Sequence, residues 1–211
     1  MATELTLYTN PMSRGQIARW MIHETGLPHD VVLLAYGAGM KADDFLAINP
    51  MGKVPAIVHR GQVVTECAAI CAYLADATPD RKLAPPTDRR ADYYRWLFFA
   101  AGPVEQAVIT RAMGFDVPQD KQAMVGFGNY DQTVSVLEKW LAGRDYVAAD
   151  HFTAADVYVG AQVIWGTQFG TLPSLPAFER YAARLIERPA YRAAKSIDDA
   201  LIAEINAKTT T

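Results

Sequence analysis

Cysteine is nearly absent: only Cys67 and Cys71 occur in 211 residues. Two thiols cannot form a disulfide framework. Four residues apart on a predicted helix, they are neighbours on one face and lack the C-x-x-C spacing of a redox pair. Such sparse use fits a reducing, cytoplasmic setting. Histidine is scarce as well. His23, His29, His59 and His151 are scattered, none with a second ligand at metal-binding spacing, so no metal is expected. Charge of one sign is also lacking, since 20 basic and 23 acidic side chains leave a net charge of −3. No polycationic face is available for a phosphate backbone, which argues against a nucleic-acid partner. The opening MATELTLYTNPMSRG has no basic region leading into an apolar core, so it does not read as a secretory signal. Residues 157–178 carry no charge, but Gln162, Gln168, Gly166, Gly170, Pro173 and Pro176 interrupt them. They read as a buried helix plus a loop rather than a membrane span.

What remains is ordinary globular material, 51% apolar and 20% charged. The length suits one large domain or two small ones at about 150 residues per domain. A chain of this size buries roughly 70% of its unfolded surface, enough to hold without a disulfide or metal. The pattern breaks at residues 78–87 (TPDRKLAPPT), where three prolines, Pro79, Pro85 and Pro86, mark a linker. The expected division is a first domain over 1–77 and a second over 88–211.

Residues 4–8 alternate as a strand, and 13–26 read as a helix stopped by Gly26 and Pro28. Residues 30–35 (DVVLLA) form an apolar run of strand length. Residues 36–52 read as loop with a helical turn near 43–47. Residues 54–58 and 62–64 flank a hairpin turn at His59-Arg60-Gly61, and 66–77 return to helix. The order predicts a mixed four-stranded sheet, because strands joined by a helix run parallel and strands joined by a tight turn antiparallel. Beyond the linker every periodic segment is helical. Residues 88–113 are apolar on more than one side (Tyr93, Tyr94, Trp96, Leu97, Phe98, Phe99), which requires two buried faces. Phe127, Tyr130, Val134, Leu137 and Leu141 define a further helix, and Phe178, Tyr181 and Leu185 another before Pro189. Ala194, Ile197, Leu201 and Ile205 give a last amphipathic one.

Three segments could carry chemistry. In Pro11-Met12-Ser13-Arg14-Gly15-Gln16, Ser13 and Gln16 have the spacing of a capping box. The same residues differ from the G-x-S-x-G nucleophile elbow in the first position. A triad finds no support, because His151 is the only histidine after residue 59. A hydroxyl beside the unpaired N–H groups of a helix N-terminus suits another task, donating to an anion such as a thiolate. In Asn49-Pro50-Met51-Gly52-Lys53-Val54-Pro55, a cis Val54–Pro55 bond would leave the N–H and C=O of Val54 facing out, ready to pair with an extended peptide-like ligand. An ordinary edge strand gives the same letters. In Thr65-Glu66-Cys67, Glu66 stands in a first helical turn, where the dipole favours an acid.

Taken together, LYTNPMSRGQIARWM, NPMGKVPAIV, TECAAICAYLAD and HFTAADVYV resemble the soluble glutathione transferases over essentially the whole chain. In the last of these, Thr153 and Asp156 form a capping box and Phe152 can pack on Val157. The resemblance implies a thioredoxin-like N-terminal domain, an all-helical C-terminal domain, a homodimer and glutathione as co-substrate, bound mainly by the first domain. It places Ser13 where theta-like and zeta-like members have serine and beta-like members cysteine, donating to the glutathione sulfur. Tyr8 is the runner-up, with Asn10 third. The Arg14-Gly15 pair begins six residues after Tyr8, not four as in members that use a first-strand tyrosine, and this favours Ser13. By the same resemblance Val54, before Pro55, pairs with the cysteinyl backbone. Glu66 takes the γ-glutamyl ammonium, the Cys67 N–H the γ-glutamyl carboxylate, and Lys53 or Lys41 the glycyl carboxylate. Cys67 departs from the usual serine and is a weaker side-chain donor. Met12, Phe99, Met113, Phe115 and Trp165 are the candidate walls for a hydrophobic electrophile. The function implied is glutathione transfer in the cytoplasm, as in detoxification. The alternatives are a glutathione-dependent peroxidase, disulfide reductase or isomerase, or a non-catalytic binding protein, on the same fold.

Overall fold

The structure, a computed structural model, describes residues 3–209. The chain forms two compact units. The first takes the residues up to Arg81 together with the segment from Arg188, and the second is Lys82–Glu187.

In the first unit, β1 (Leu5–Thr9) and β2 (Asp30–Leu33) are joined by α1 (Gly15–Thr25) and run parallel. A short α2 (Asp43–Leu46) precedes β3 (Ala56–His59) and β4 (Gln62–Val64), and α3 (Cys67–Ala77) follows. The sheet order is β2-β1-β3-β4, with β3 antiparallel to both neighbours. This is the mixed thioredoxin-like sheet that the sequence implies. The hairpin is one residue tighter than expected. His59 pairs with Gln62, and Arg60 and Gly61 make the turn at φ 52° and 77°. Two positive φ values are what a type I′ turn requires, and its twist matches that of the strands.

Leu5 and Leu7 alternate inward from β1, and α1 covers them with Ile17, Met21 and Ile22. Gly26, left-handed at φ 70°, ends α1 where the sequence marks its stop. The last helix, α9 (Pro189–Thr209), packs along α1. Arg19 and Asp198 form a fully buried ion pair at 3.0 Å, Arg188 grips Glu24 through two 2.7 Å bonds, and Trp20 meets Tyr191 edge-on. The expected division at 78–87 assigns this helix to the second domain, whereas its packing groups it with the first unit. Its buried side also differs from the apolar stripe read from the sequence. Ala194 and Asp198 are buried, while Ile197 is 41% exposed.

The second unit is helical. Its first helix breaks into α4 (Ala91–Phe99) and α5 (Glu105–Ala112), where residues 88–113 read as one. The joint Ala100–Val104 is a π-type turn containing Pro103, which has no N–H to give the ladder. Then come α6 (Tyr130–Leu141), α7 (Ala154–Gln168) and α8 (Pro176–Ile186). The start of α7 is the capping box expected, with Thr153 and Asp156 reciprocating. Asp156 also accepts from the Val147 N–H at 2.7 Å and the Tyr181 hydroxyl at 2.9 Å. Burial pushes its carboxyl above the ordinary aspartate value, and these bonds oppose the push. Tyr93, Trp96 and Leu97 of α4 face the core, while Tyr94 and Phe98 stay exposed. Among the described residues, no helix is long and apolar enough to cross a membrane, and no cluster of three His, Cys, Asp or Glu is arranged to hold a metal ion.

Candidate functional site

Ser13 lies in the turn between β1 and α1. Its hydroxyl donates to the Asn10 carbonyl at 2.6 Å and accepts the Gly15 N–H at 2.9 Å. The helix proper opens at Gly15 with Arg14 at the cap position, so the Ser13–Gln16 capping box is not formed. Gln16 instead reaches back to the Pro11 carbonyl at 2.5 Å. The reason lies in the turn, where a local serine–backbone bond competes with the capping geometry. A Cβ at Gly15 would stand 1.9 Å from the Thr9 hydroxyl oxygen, so any side chain here would force Thr9 to move.

Asn10, buried, is committed at both ends of its side chain. Its amide donates to the Leu34 carbonyl at 2.8 Å and its oxygen accepts the Met12 N–H at 2.9 Å. Tyr8 turns its ring against Phe45, with centroids 5.7 Å apart, in a small cluster with Met40 and Ala56. Val54 packs its side chain on that same cluster. The Val54–Pro55 bond is cis, and Pro55 is buried.

The loop before it is tightly tied. Asn49 donates its side-chain amide to the Lys53 carbonyl at 2.7 Å and accepts the Met51 N–H at 3.1 Å. Lys41 places its ammonium on the Met51 carbonyl at 2.9 Å and the Gly52 carbonyl at 3.3 Å. Lys53 is exposed.

At the start of α3, Glu66 does not sit in the first turn as expected. It is the residue before the helix, at φ 64° and ψ 113°, a backbone region costly for any residue with a Cβ. Its side chain is exposed. Cys67 is buried, with its thiol 3.6 Å from the Arg14 carbonyl, so the openings of α1 and α3 meet. The hydrogen bond from Cys67, together with burial, pushes the Cys71 thiol well up and keeps it protonated. Within the first unit the Ser13 turn thus meets the start of α3 through Cys67, and Val54 shares a cluster with Tyr8 of β1.

The candidate apolar wall is dispersed over both units. Met12, 46% exposed, belongs to the first. Phe99, Met113, Phe115 and Trp165 belong to the second, with Met113 and Phe115 exposed and Phe99 meeting Trp96 edge-on at 5.1 Å between ring centroids. Phe99 also lines a cavity of about 390 Å³ with Pro103, Gln122, Phe127 and Val136, a feature that the sequence does not signal. Asn49 is the residue that sequence reasoning passed over. Its place at the head of N-P-M-G-K-V-P was the available signal.

Residues 12–77 match the glutathione S-transferase N-terminal domain, and residues 98–189 the glutathione S-transferase C-terminal domain. The glutathione S-transferase GstA of Escherichia coli O157:H7 is 30% identical over 168 residues, 77% of this chain and 79% of that protein. A sphingomonad glutathione S-transferase solved in complex with glutathione matches with a TM-score of 0.74 at 29% identity, over 92% of this chain and 98% of that one. A beta class glutathione S-transferase from Sphingomonas chungbukensis matches with a TM-score of 0.73 at 26% identity, over the same 92% and 98%.

Proposed function

This chain belongs to the glutathione S-transferase family, and from that premise we propose that it activates the glutathione thiol for attack on a hydrophobic electrophile, with Ser13 as the activating residue of a theta- or beta-like bacterial type. The observation that carries the reading is the Ser13 hydroxyl at the opening of α1, polarised by the Gly15 N–H at 2.9 Å. A hydroxyl that accepts one hydrogen bond is a stronger donor in the next. Turned from the Asn10 carbonyl to a sulfur, it donates to a thiolate. Tyr8, packed on Phe45, and Asn10, engaged at both ends, are less suited to the task.

Residues 1–77 supply the glutathione seat, and 88–211 the larger share of the apolar wall. The Val54 backbone takes the cysteinyl main chain, since no hydrogen bond from it is seen within the chain among the described residues. Glu66 takes the γ-glutamyl ammonium and the Cys67 N–H the γ-glutamyl carboxylate. Lys53 serves the glycyl carboxylate ahead of Lys41, whose ammonium already holds two carbonyls. Phe99, Met113, Phe115, Trp165 and Met12 receive the electrophile. Tyr94 and Phe98, exposed on α4, support a homodimer that covers them, and two free buried thiols support a cytoplasmic location.

The energetics are modest. A thiol of pKa about 8.5 is only a few per cent ionised at neutral pH. Lowering it by about 1.5 units takes about 2 kcal/mol of preference for the thiolate. One hydrogen bond to a charged acceptor gives about 1.5–3 kcal/mol, and the helix end about 0.3–1 more. The thiol proton leaves to solvent, the sulfur lone pair forms the C–S bond, and the leaving group departs with its electrons. The test is a turnover panel with glutathione and, in turn, an aromatic halide, a hydroperoxide, a mixed disulfide and a maleyl-type isomer. Conjugation of the halide is expected. Silence across the panel, with no retention on immobilised glutathione, would refute the reading.

A further inference from the structure

Asn49 uses every polar group it has. Its N–H donates to the Phe45 carbonyl at 2.8 Å, its carbonyl accepts the Gly52 N–H at 2.7 Å, and its side chain makes the two bonds to Met51 and Lys53 given above. An asparagine that only shapes a turn needs the bond from its side-chain oxygen to the N–H two residues on. The second bond, from the side-chain amide to the Lys53 carbonyl at 2.7 Å, goes further. The Lys53–Val54 peptide is trans and planar, so its carbonyl and its N–H point in opposite directions. Asn49 holds the carbonyl toward the interior of the loop. The Val54 N–H is thereby aimed out of it. The Val54 side chain, packed on Met40, Phe45 and Ala56, fixes the other end of the residue. At Gly52, with φ 56°, a Cβ would fall 2.5 Å from the Met40 carbonyl oxygen and 2.7 Å from the Lys41 ammonium, so this backbone path requires glycine there.

We propose that Asn49 is a positioning residue for glutathione binding, setting the direction of the Val54 N–H through the carbonyl of the same peptide. The proposal rests on the reading of Val54 as the partner of the cysteinyl main chain. It assigns Asn49 to affinity and not to thiol activation, because none of its four bonds reaches the Ser13 turn.

Asn49→Asp tests it. The carboxylate keeps an acceptor for the Met51 N–H but has no donor for the Lys53 carbonyl and repels it. Asn49→Ser is the neutral second variant, short enough to keep the turn but unable to span to Lys53. Wild type and both variants are titrated calorimetrically with glutathione and with S-methylglutathione, and the bound-thiol ionisation midpoint, kcat at saturating glutathione and Tm are measured beside them. Both ligands should bind about 10-fold more weakly, the scale of one hydrogen bond, while the thiol midpoint and kcat stay at wild-type values. Wild-type affinity in either folded variant would overturn the proposal. So would a loss of affinity with an equal loss of kcat or a shifted thiol midpoint, which marks general damage. A wild-type protein binding neither ligand would overturn the glutathione reading and this inference with it.

Discussion

The Ser13 hydroxyl gives its proton to the Asn10 carbonyl across 2.6 Å while receiving the Gly15 N–H at 2.9 Å. The two bonds have different consequences. The one from Gly15 persists whichever way the proton turns, and it fixes the oxygen at the mouth of α1. In the proposed function the one to Asn10 would compete with the glutathione sulfur for a single proton, and a thiolate would win that competition because bonds to ionised acceptors are roughly twice as strong. On that proposal Ser13 is a switchable donor on a fixed oxygen.

Glu66 joins its proposed binding role to backbone strain. At φ 64° it occupies a region that glycine enters freely and that costs other residues about 1–2 kcal/mol. Glu66→Gly should raise Tm while weakening glutathione binding, and Glu66→Ala should weaken binding with no gain in Tm. Scanning calorimetry and ligand titration on the two variants separate the effects. Wild-type affinity in both would remove Glu66 from the ammonium site.

Asp156 holds the start of α7 and the loop before it. Asp156→Ala strips acceptors from Val147, Thr153 and Tyr181, all buried, and should cost at least about 3 kcal/mol. Asp156→Asn retains an acceptor and should cost clearly less. Denaturant unfolding of the two variants gives the ordering, and equal losses would contradict it.

The Arg19–Asp198 pair binds α9 to α1. Asp198→Asn leaves the Arg19 charge buried without its partner and should cost about 3–5 kcal/mol. The apolar double variant Arg19→Met with Asp198→Leu should recover much of that loss, since desolvating the two charges opposes the pair's own attraction. A double variant no better than the single would show that the pair itself stabilises the contact.

Stability should fall on mild acidification. Burial, with the Arg60 charge adding to it, holds the His59 imidazole below its ordinary value. Between that lowered value and the unfolded value near 6.5 the unfolded chain binds the extra proton, so stability rises with pH across this window and is lost as pH falls through it. Tm followed from pH 7 to pH 5 should drop, and His59→Gln should drop less. His23, also held low by burial, keeps part of the slope in the variant. Parallel curves would exclude His59.

Much of this was legible because the signals are local. HFTAAD encodes the start of α7 through two side chains that satisfy each other's backbone, and Gly26 ends α1 through its own left-handed φ. The mixed sheet follows from the order of connections. Where the outcome depends on distant chain, the reading drifted. The buried side of α9 is set by Arg19, 179 residues away from Asp198, so the apolar stripe at Ile197 pointed slightly wrong. The same contact explains why α9 groups with the first unit. The break between α4 and α5 was signalled only by Pro103 inside a strongly helical run. At the candidate site, the signals in the sequence were N-P-M-G-K-V-P and P-M-S-R-G, but the turn bonds of Ser13, the strained φ of Glu66 and the bonds of Asn49 are matters of backbone path.

The central claim is that Ser13 lowers the pKa of the bound thiol, and the thiolate absorbance of the glutathione complex titrated against pH tests it most directly. The wild-type midpoint should lie about 1.5 units below that of the free thiol, and in Ser13→Ala it should return toward about 8.5 while glutathione affinity changes little. A Ser13→Ala midpoint equal to wild type would contradict the account.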